Sequence, residues 1–243
     1  MAFRKLAVAA GLTVALGMAA SAQAETFKYA FQGELKGLDP YSLNETFTLG
    51  TLGNVYEGLT RRGPELDIQP SLAESWEVVE PTRWRFHLRK GVKFHNGNDF
   101  TADDVVFSAE RVRSQESDLK TRIGADVKVE KVDDYTVDFV LESPNPILHY
   151  EWDTWAIMDK EWAEEHDTAK VMSASDESPS YAGLHANGTG PFKISSHETG
   201  VKTTFEENKD WWDYGNKKFN IDTVELTPIG SDATRVAALL SGE

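Results

Sequence analysis

The chain contains no cysteine among its 243 residues. That excludes disulfide staples, thiolate metal ligands and a lipid attached to a cysteine behind a signal segment. An exported chain without staples holds its fold by buried apolar surface, which this length can supply. Basic residues are scarce: 25 Lys and Arg stand against 40 Asp and Glu, a formal charge of -15. Such a surface repels phosphate backbones, so nucleic acid is not an expected partner. Beyond the first residues no run of about twenty apolar side chains exists, so no membrane span is expected. Catalytic signatures are missing as well, with no G-x-S-x-G, no G-x-x-x-x-G-K-[ST] and no EF-hand spacing.

The six histidines, His87, His95, His149, His166, His185 and His197, form no i,i+4 pair and no HExxH. Glu164-Glu165-His166-Asp167 is the densest ligand-like cluster and reads as a solvated helix end. No metal, no cofactor and no catalytic group are expected.

What is present begins with a targeting segment. Arg4 and Lys5 precede the apolar small-residue run Leu6–Ala20, and Ala22-Gln23-Ala24 has the A-x-A form of a cleavage site. The expectation is a secretory signal over residues 1–24, cleaved before Glu25. Its loss removes two basic residues and no acidic ones, leaving 219 residues with 23 basic against 40 acidic side chains, a charge of -17. A free-floating periplasmic protein without a lipid anchor follows.

Along the remaining chain, Phe27–Phe31 reads as a strand and Gly37-Leu38-Asp39-Pro40 as a turn. Apolar residues at Leu49, Leu52, Val55, Tyr56 and Leu59 fall at helical spacing, weakened by Gly50 and Gly53. Arg61–Pro64 and Pro70–Ser75 read as connectors. Trp84, Phe86 and Leu88 alternate with Arg83, Arg85, His87 and Arg89, the pattern of a half-buried strand. A tight turn at Asn96-Gly97 follows, then a helix capped by Thr101 with Asp104 completing the box and Val105, Val106, Ala109 and Val112 on its buried stripe. A second hairpin runs from Val127 to Leu141 with its turn at Asp133-Asp134. Trp152, Trp155, Met158 and Trp162 lead into a helix near Asp159, and Val171–Ser180 is a loop. Asn187–Pro191 is a turn before further strands at Phe192–Ser195, Thr203–Phe205 and Thr223–Thr227, and Asp232–Leu240 is a last helix. Strands and helices intermingle, so the class is α/β or α+β.

Several blocks carry a resemblance. WRFHLRKGVKFHNGNDFTADDVVFS, with PSLAESW before it, DDYTVDFVLESP and NGTGPFKI after it, and NKDWW at Asn208–Trp212, resembles extracellular solute-binding proteins of family 5. These are the dipeptide, oligopeptide and nickel-chelate binding components of bacterial ABC importers. The resemblance implies a periplasmic binding protein of type II, roughly twice this length, whose lobes close on a ligand by hinge motion. It places Glu25–Val55 in a first lobe, Tyr56 to about Ser180 in an inserted domain and Tyr181–Glu243 back in the first lobe. The abrupt finish at Ser241-Gly242-Glu243 then reads as a truncation before the second lobe.

Site residues follow from the same resemblance. The loop after Leu38-Asp39-Pro40 lines the cleft in relatives, which points to Asn44, Glu45 and Thr46; Trp155 and Arg122 match cleft-facing positions. Each has a plainer reading: an exposed turn carboxylate for Glu45, core packing for Trp155, a solvated side chain for Arg122. Trp162, Trp211 and Trp212 read as packing. The implied function is capture of a small solute, first of all a peptide, by a monomer that delivers it to an inner-membrane permease. A secreted hydrolase, a sensor subunit and an inert truncated product are the rival expectations.

Overall fold

The computed structural model describes residues 25–173 and 178–242. The expected signal segment, four residues of the Val171–Ser180 loop and Glu243 lie outside the described residues. The chain opens with β1 (Thr26–Phe31) and the short helix α1 (Thr46–Leu52). The helix expected over Leu49–Leu59 thus stops seven residues early. Its next carbonyls are claimed by distant partners: Asn54 O accepts from Phe192 N–H, Val55 O from Gly190 N–H and Glu57 O from Ile157 N–H. Val55, Tyr56 and Leu59 are buried all the same, so their spacing reports burial in an irregular segment.

Next come β2 (Thr60–Arg62) and β3 (Ile68–Pro70), an antiparallel ribbon, and β4 (Ala73–Glu80). The expected connectors at Arg61–Pro64 and Pro70–Ser75 are therefore partly strand, because each strand finds a ladder partner that a local reading does not supply. β5 (Arg83–Leu88) buries Trp84, Phe86 and Leu88 on one face. Helix α2 (Ala102–Val112) begins with a complete capping box: Thr101 Oγ1 accepts from Asp103 N–H, and Asp104 Oδ2 accepts from Thr101 N–H at 2.8 Å. Val105, Ala109 and Val112 are buried and Val106 half-buried. β6 (Lys128–Asp133) and β7 (Thr136–Val140) complete an antiparallel sheet in the order β4-β5-β7-β6.

The chain continues through the short helices α3 (Leu148–Glu151), α4 (Lys160–Glu165) and α5 (Tyr181–Leu184). β8 (Phe192–Glu198), β9 (Lys202–Glu207), a 3-10 turn at Tyr214–Asn216, β10 (Thr223–Pro228) and α6 (Asp232–Ser241) close it. The second four-stranded sheet has the order β1-β10-β9-β8, with β1 parallel to β10 and the other pairs antiparallel. Strands from the two ends of the chain therefore share one sheet, and everything between Thr60 and Leu184 is looped out of it.

The core is richest behind the first sheet. Phe86 meets the edge of Phe139 at 5.2 Å between centroids, Phe139 lies 4.4 Å from Trp152, and Trp152 lies 5.7 Å from Trp155. Each such pair adds about 0.5–1.5 kcal/mol beyond the area buried. One buried ion pair ties the opening loop to α2: Arg111 Nη1 and Nη2 donate to the Asp39 carboxylate at 2.9 and 2.6 Å, both side chains being enclosed. Arg111 also donates to Thr168 O, which leaves no bare charge in the interior.

Candidate functional site

The segment that fails to be helix, Tyr56–Thr60, forms the floor of a cleft of about 330 Å³. Leu49, Leu52 and Pro40 supply apolar wall; Glu57, Arg61, Asp153 and Trp211 supply polar groups. Gly58 lets the chain pass, since a Cβ there would sit 2.8 Å from Trp155 O.

Glu57 is the centre of the arrangement. Its Oε2 accepts from Thr189 Oγ1 at 2.8 Å and Trp212 Nε1 at 2.9 Å, and its Oε1 accepts from Trp211 Nε1 at 3.2 Å. Burial raises its pKa above the ordinary value, while the Trp212, Thr189 and Trp211 donors and then Arg61 pull the other way. The donors come from the Asn187–Pro191 turn and from Trp211-Trp212, over 130 residues away in sequence. Cations flank this cage. The Arg89 guanidinium lies 4.0 Å over the Trp212 ring and Arg61 lies 5.9 Å from it, with Arg61 Nη2 3.5 Å from Asp213 Oδ2. Asp153 pairs with Arg62.

The turn behind the floor is fitted as closely. A Cβ on Gly188 would meet Val55 O at 2.0 Å, and one on Gly190 would meet Asn54 O at 2.7 Å. His95 locks the turn: its N–H donates to Gly188 O at 2.8 Å, and its ring joins Gly190 O at 3.0 Å and Gly188 N–H at 3.4 Å. Burial pushes the imidazole pKa down to about 4, so the ring is neutral, with Nε2 donating and Nδ1 accepting.

The residues expected at a site are not gathered in this cleft. Asn44, Glu45 and Thr46 are exposed at the start of α1, where Glu45 Oε2 accepts from Thr48 Oγ1 at 2.8 Å. Thr46 faces a different, apolar concavity. Trp155 is fully enclosed among Phe139 and Trp152, while Asp153, Thr154 and Ala156 on either side of it line the cleft. Arg122 is half-buried, and its carbonyl accepts from Trp152 Nε1 at 2.9 Å. Glu57, Arg61 and Asp153 escaped the sequence reading. The one available signal was a lone carboxylate among Val55, Tyr56 and Leu59. Trp211 and Trp212 do pack, as expected, but their indole N–H groups also hold Glu57.

Among the described residues no group of three or more His, Asp or Glu side chains converges to hold a metal ion, and no helix is long and apolar enough to cross a membrane. The cleft offers area, a cation and carboxylates, which suits reversible capture of a polar small molecule.

Comparison with known proteins places this arrangement. The family description "Bacterial extracellular solute-binding proteins, family 5 Middle" matches residues 67–243. A dipeptide-binding protein of Escherichia coli is 31% identical over 258 aligned positions, covering 95% of this chain and 46% of the relative. The binding protein MoaA of A. tumefaciens in complex with mannopinic acid superposes with a TM-score of 0.77 at 26% identity, over 90% of this chain and 44% of that one. The ABC transporter-associated periplasmic binding protein DppA of Helicobacter pylori, in complex with the peptide STSA, gives 0.72 at 26% identity over 90% and 45%. The chain thus spans about half the length of the curated relatives it matches, and its fold is the mixed α/β fold of type II periplasmic binding proteins. By the extent of these matches, the chain belongs to the bacterial extracellular solute-binding proteins of family 5.

Proposed function

We propose that the protein is a periplasmic solute receptor of an ABC importer and that its solute is a short peptide. The observation that carries this reading is the cleft floored by Glu57, where Arg61 and Asp153 set charges of both signs beside an apolar wall. A zwitterion such as a dipeptide needs that combination. The 31% identity with a dipeptide-binding protein over 95% of the chain supports it; the mannopinic acid complex keeps opines as the second class.

In this reading residues 1–24 are a cleaved secretory signal, Glu25–Val55 and Tyr181–Glu243 belong to one lobe, and Tyr56–Ser180 form an inserted domain. A second lobe closes over the cleft, and a permease recognises the closed form. Asn44, Glu45 and Thr46, exposed at the start of α1 and outside the Glu57 cleft, meet the solute only when the second lobe closes, and Arg122 stays peripheral. The protein acts as a monomer without a cofactor.

The test is a titration of the protein purified from its native periplasm with dipeptides, tripeptides and opines. Intrinsic tryptophan fluorescence reports binding and chromatography reports the solute's fate. Saturable binding of peptides that are recovered intact is expected. Hydrolysis of the peptide would establish an enzyme instead, and saturation by opines alone would move the solute class.

A further inference from the structure

The chain has two Asn-Gly dipeptides, Asn96-Gly97 and Asn187-Gly188, and both asparagine amides donate to the same atom. Asn96 Nδ2, Asn98 Nδ2 and Asn187 Nδ2 each lie 2.9 Å from Asp159 Oδ2. Asp159 is buried, and its other oxygen accepts from Trp162 N–H at 3.0 Å, capping α4. An ionised carboxylate can only accept, and an amide NH2 can only donate, so this knot is matched by charge as well as by geometry. It ties the turn before α2, the start of α4 and the turn behind the cleft floor into one unit.

Asn-Gly is also the pair most prone to lose its side-chain amide. Glycine carries no Cβ to keep its backbone nitrogen away from the preceding side-chain carbonyl carbon. We propose that Asn96 is a spontaneous deamidation site which the fold protects through Asp159, and that its conversion to a carboxylate unties the knot. In the reaction the Gly97 nitrogen gives its proton to hydroxide and bonds to Asn96 Cγ. The Cγ–Nδ2 bond breaks, and ammonia leaves with the electron pair and a proton. Water then opens the resulting cyclic imide, giving aspartate or isoaspartate; one water is consumed and one ammonia released.

In the folded protein both reacting groups are engaged. Gly97 N–H donates to Phe94 O at 2.9 Å, Asn96 Oδ1 accepts from Asn98 N–H at 3.0 Å, and Nδ2 is held by Asp159. Reaction waits for local opening. Asn96 and Gly97 are exposed, with Gly97 at φ +99°, so water reaches them. Asn187 is buried and Gly188 is wedged against Val55 O, which makes Asn96 the site that reacts first. A carboxylate at position 96 faces Asp159 with like charge at hydrogen-bond distance and is expelled, and two amides remain on the knot.

The test follows the tryptic peptide Phe94–Arg111 by mass spectrometry after mildly alkaline incubation, in buffer and in urea. Conversion at Asn96 is expected at least about tenfold slower in buffer, as a reaction gated by local opening requires, and ahead of Asn187. Asp159→Asn, which keeps an acceptor oxygen without the charge, should raise the rate in buffer and leave the rate in urea unchanged. Asn96→Asp should lower the melting temperature, with the loss shrinking as pH falls through the carboxylate range. Equal rates in buffer and urea, earlier conversion of Asn187, or an unchanged melting temperature for Asn96→Asp would overturn the proposal. If Asp159→Asn does not fold, the parent's rate ratio and the Asn96→Asp melting shift decide.

Discussion

The two four-stranded sheets are built from the same kind of sequence and meet different fates. In β4-β5-β7-β6 the inward side chains Phe86, Val137 and Phe139 are wholly enclosed, because α2 and the tryptophan-rich segment after α3 lie across that face. In β1-β10-β9-β8 the aromatic row Phe27, Tyr29, Phe31 continues onto Phe47 with rings stacked 6.5, 6.1 and 4.4 Å apart, yet Phe27 is 50% and Tyr29 40% exposed. They line an apolar concavity of about 590 Å³ with Phe205, Phe219 and Val224. Helix α6 leaves Leu239 and Leu240 79% and 83% exposed. Alternation makes a strand in both places. Burial depends on a second layer, and among the described residues only one sheet has a complete one.

The largest expected effects test that contrast at its strong end. Phe139→Ala should cost about 3–5 kcal/mol in urea unfolding, whereas Phe27→Ala, from a half-exposed side chain, should cost no more than about 1 kcal/mol. Equal costs would show that the concavity is covered in solution. Asp39→Ala belongs to the same size class: it strands the enclosed Arg111 charge, and about 3–5 kcal/mol should be lost. A loss below that would mean water reaches the pair.

His95 gives an effect that depends on pH. Its folded pKa is lowered to about 4 from 6.5, so the stability it contributes is full above pH 6.5 and is lost as pH falls from there toward 4. About 3 kcal/mol is at stake. Asp104, raised to about 6 by burial, and Glu57, also raised by burial, run in the opposite sense, their contributions being lost as pH rises through those raised values. The measurement is therefore the difference between parent and His95→Gln across that window. The parent should lose stability faster on acidification, and parallel curves would remove His95 from the account.

Smaller still, Thr101→Ala should cost about 1 kcal/mol by losing the cap of α2. The smallest is Leu239→Ser, expected within about 0.5 kcal/mol because the side chain lies in solvent. A large loss there would break the comparison from its weak side.

The alternation at Trp84, Phe86 and Leu88 and the Thr101–Asp104 box were legible because both are written over a few residues. The stretch Leu49–Leu59 was misread because apolar spacing of three and four fits any buried turn that keeps its side chains inward. Glu57 was missed because nothing near it in sequence explains it; its partners Thr189, Trp211 and Trp212 arrive from the far side of the inserted segment.

By itself, then, the sequence determined the alternating strands such as β5 and β7, the capped helix, the absence of thiol chemistry and the family, since each rests on local pattern or on blocks in order. The tertiary structure alone decided that β1 pairs with β10, that Trp155 is core and that Asp159 gathers three asparagine amides. Those are contacts between groups far apart along the chain. A residue's environment there is set by what the fold lays against it, and neighbouring residues carry no record of that.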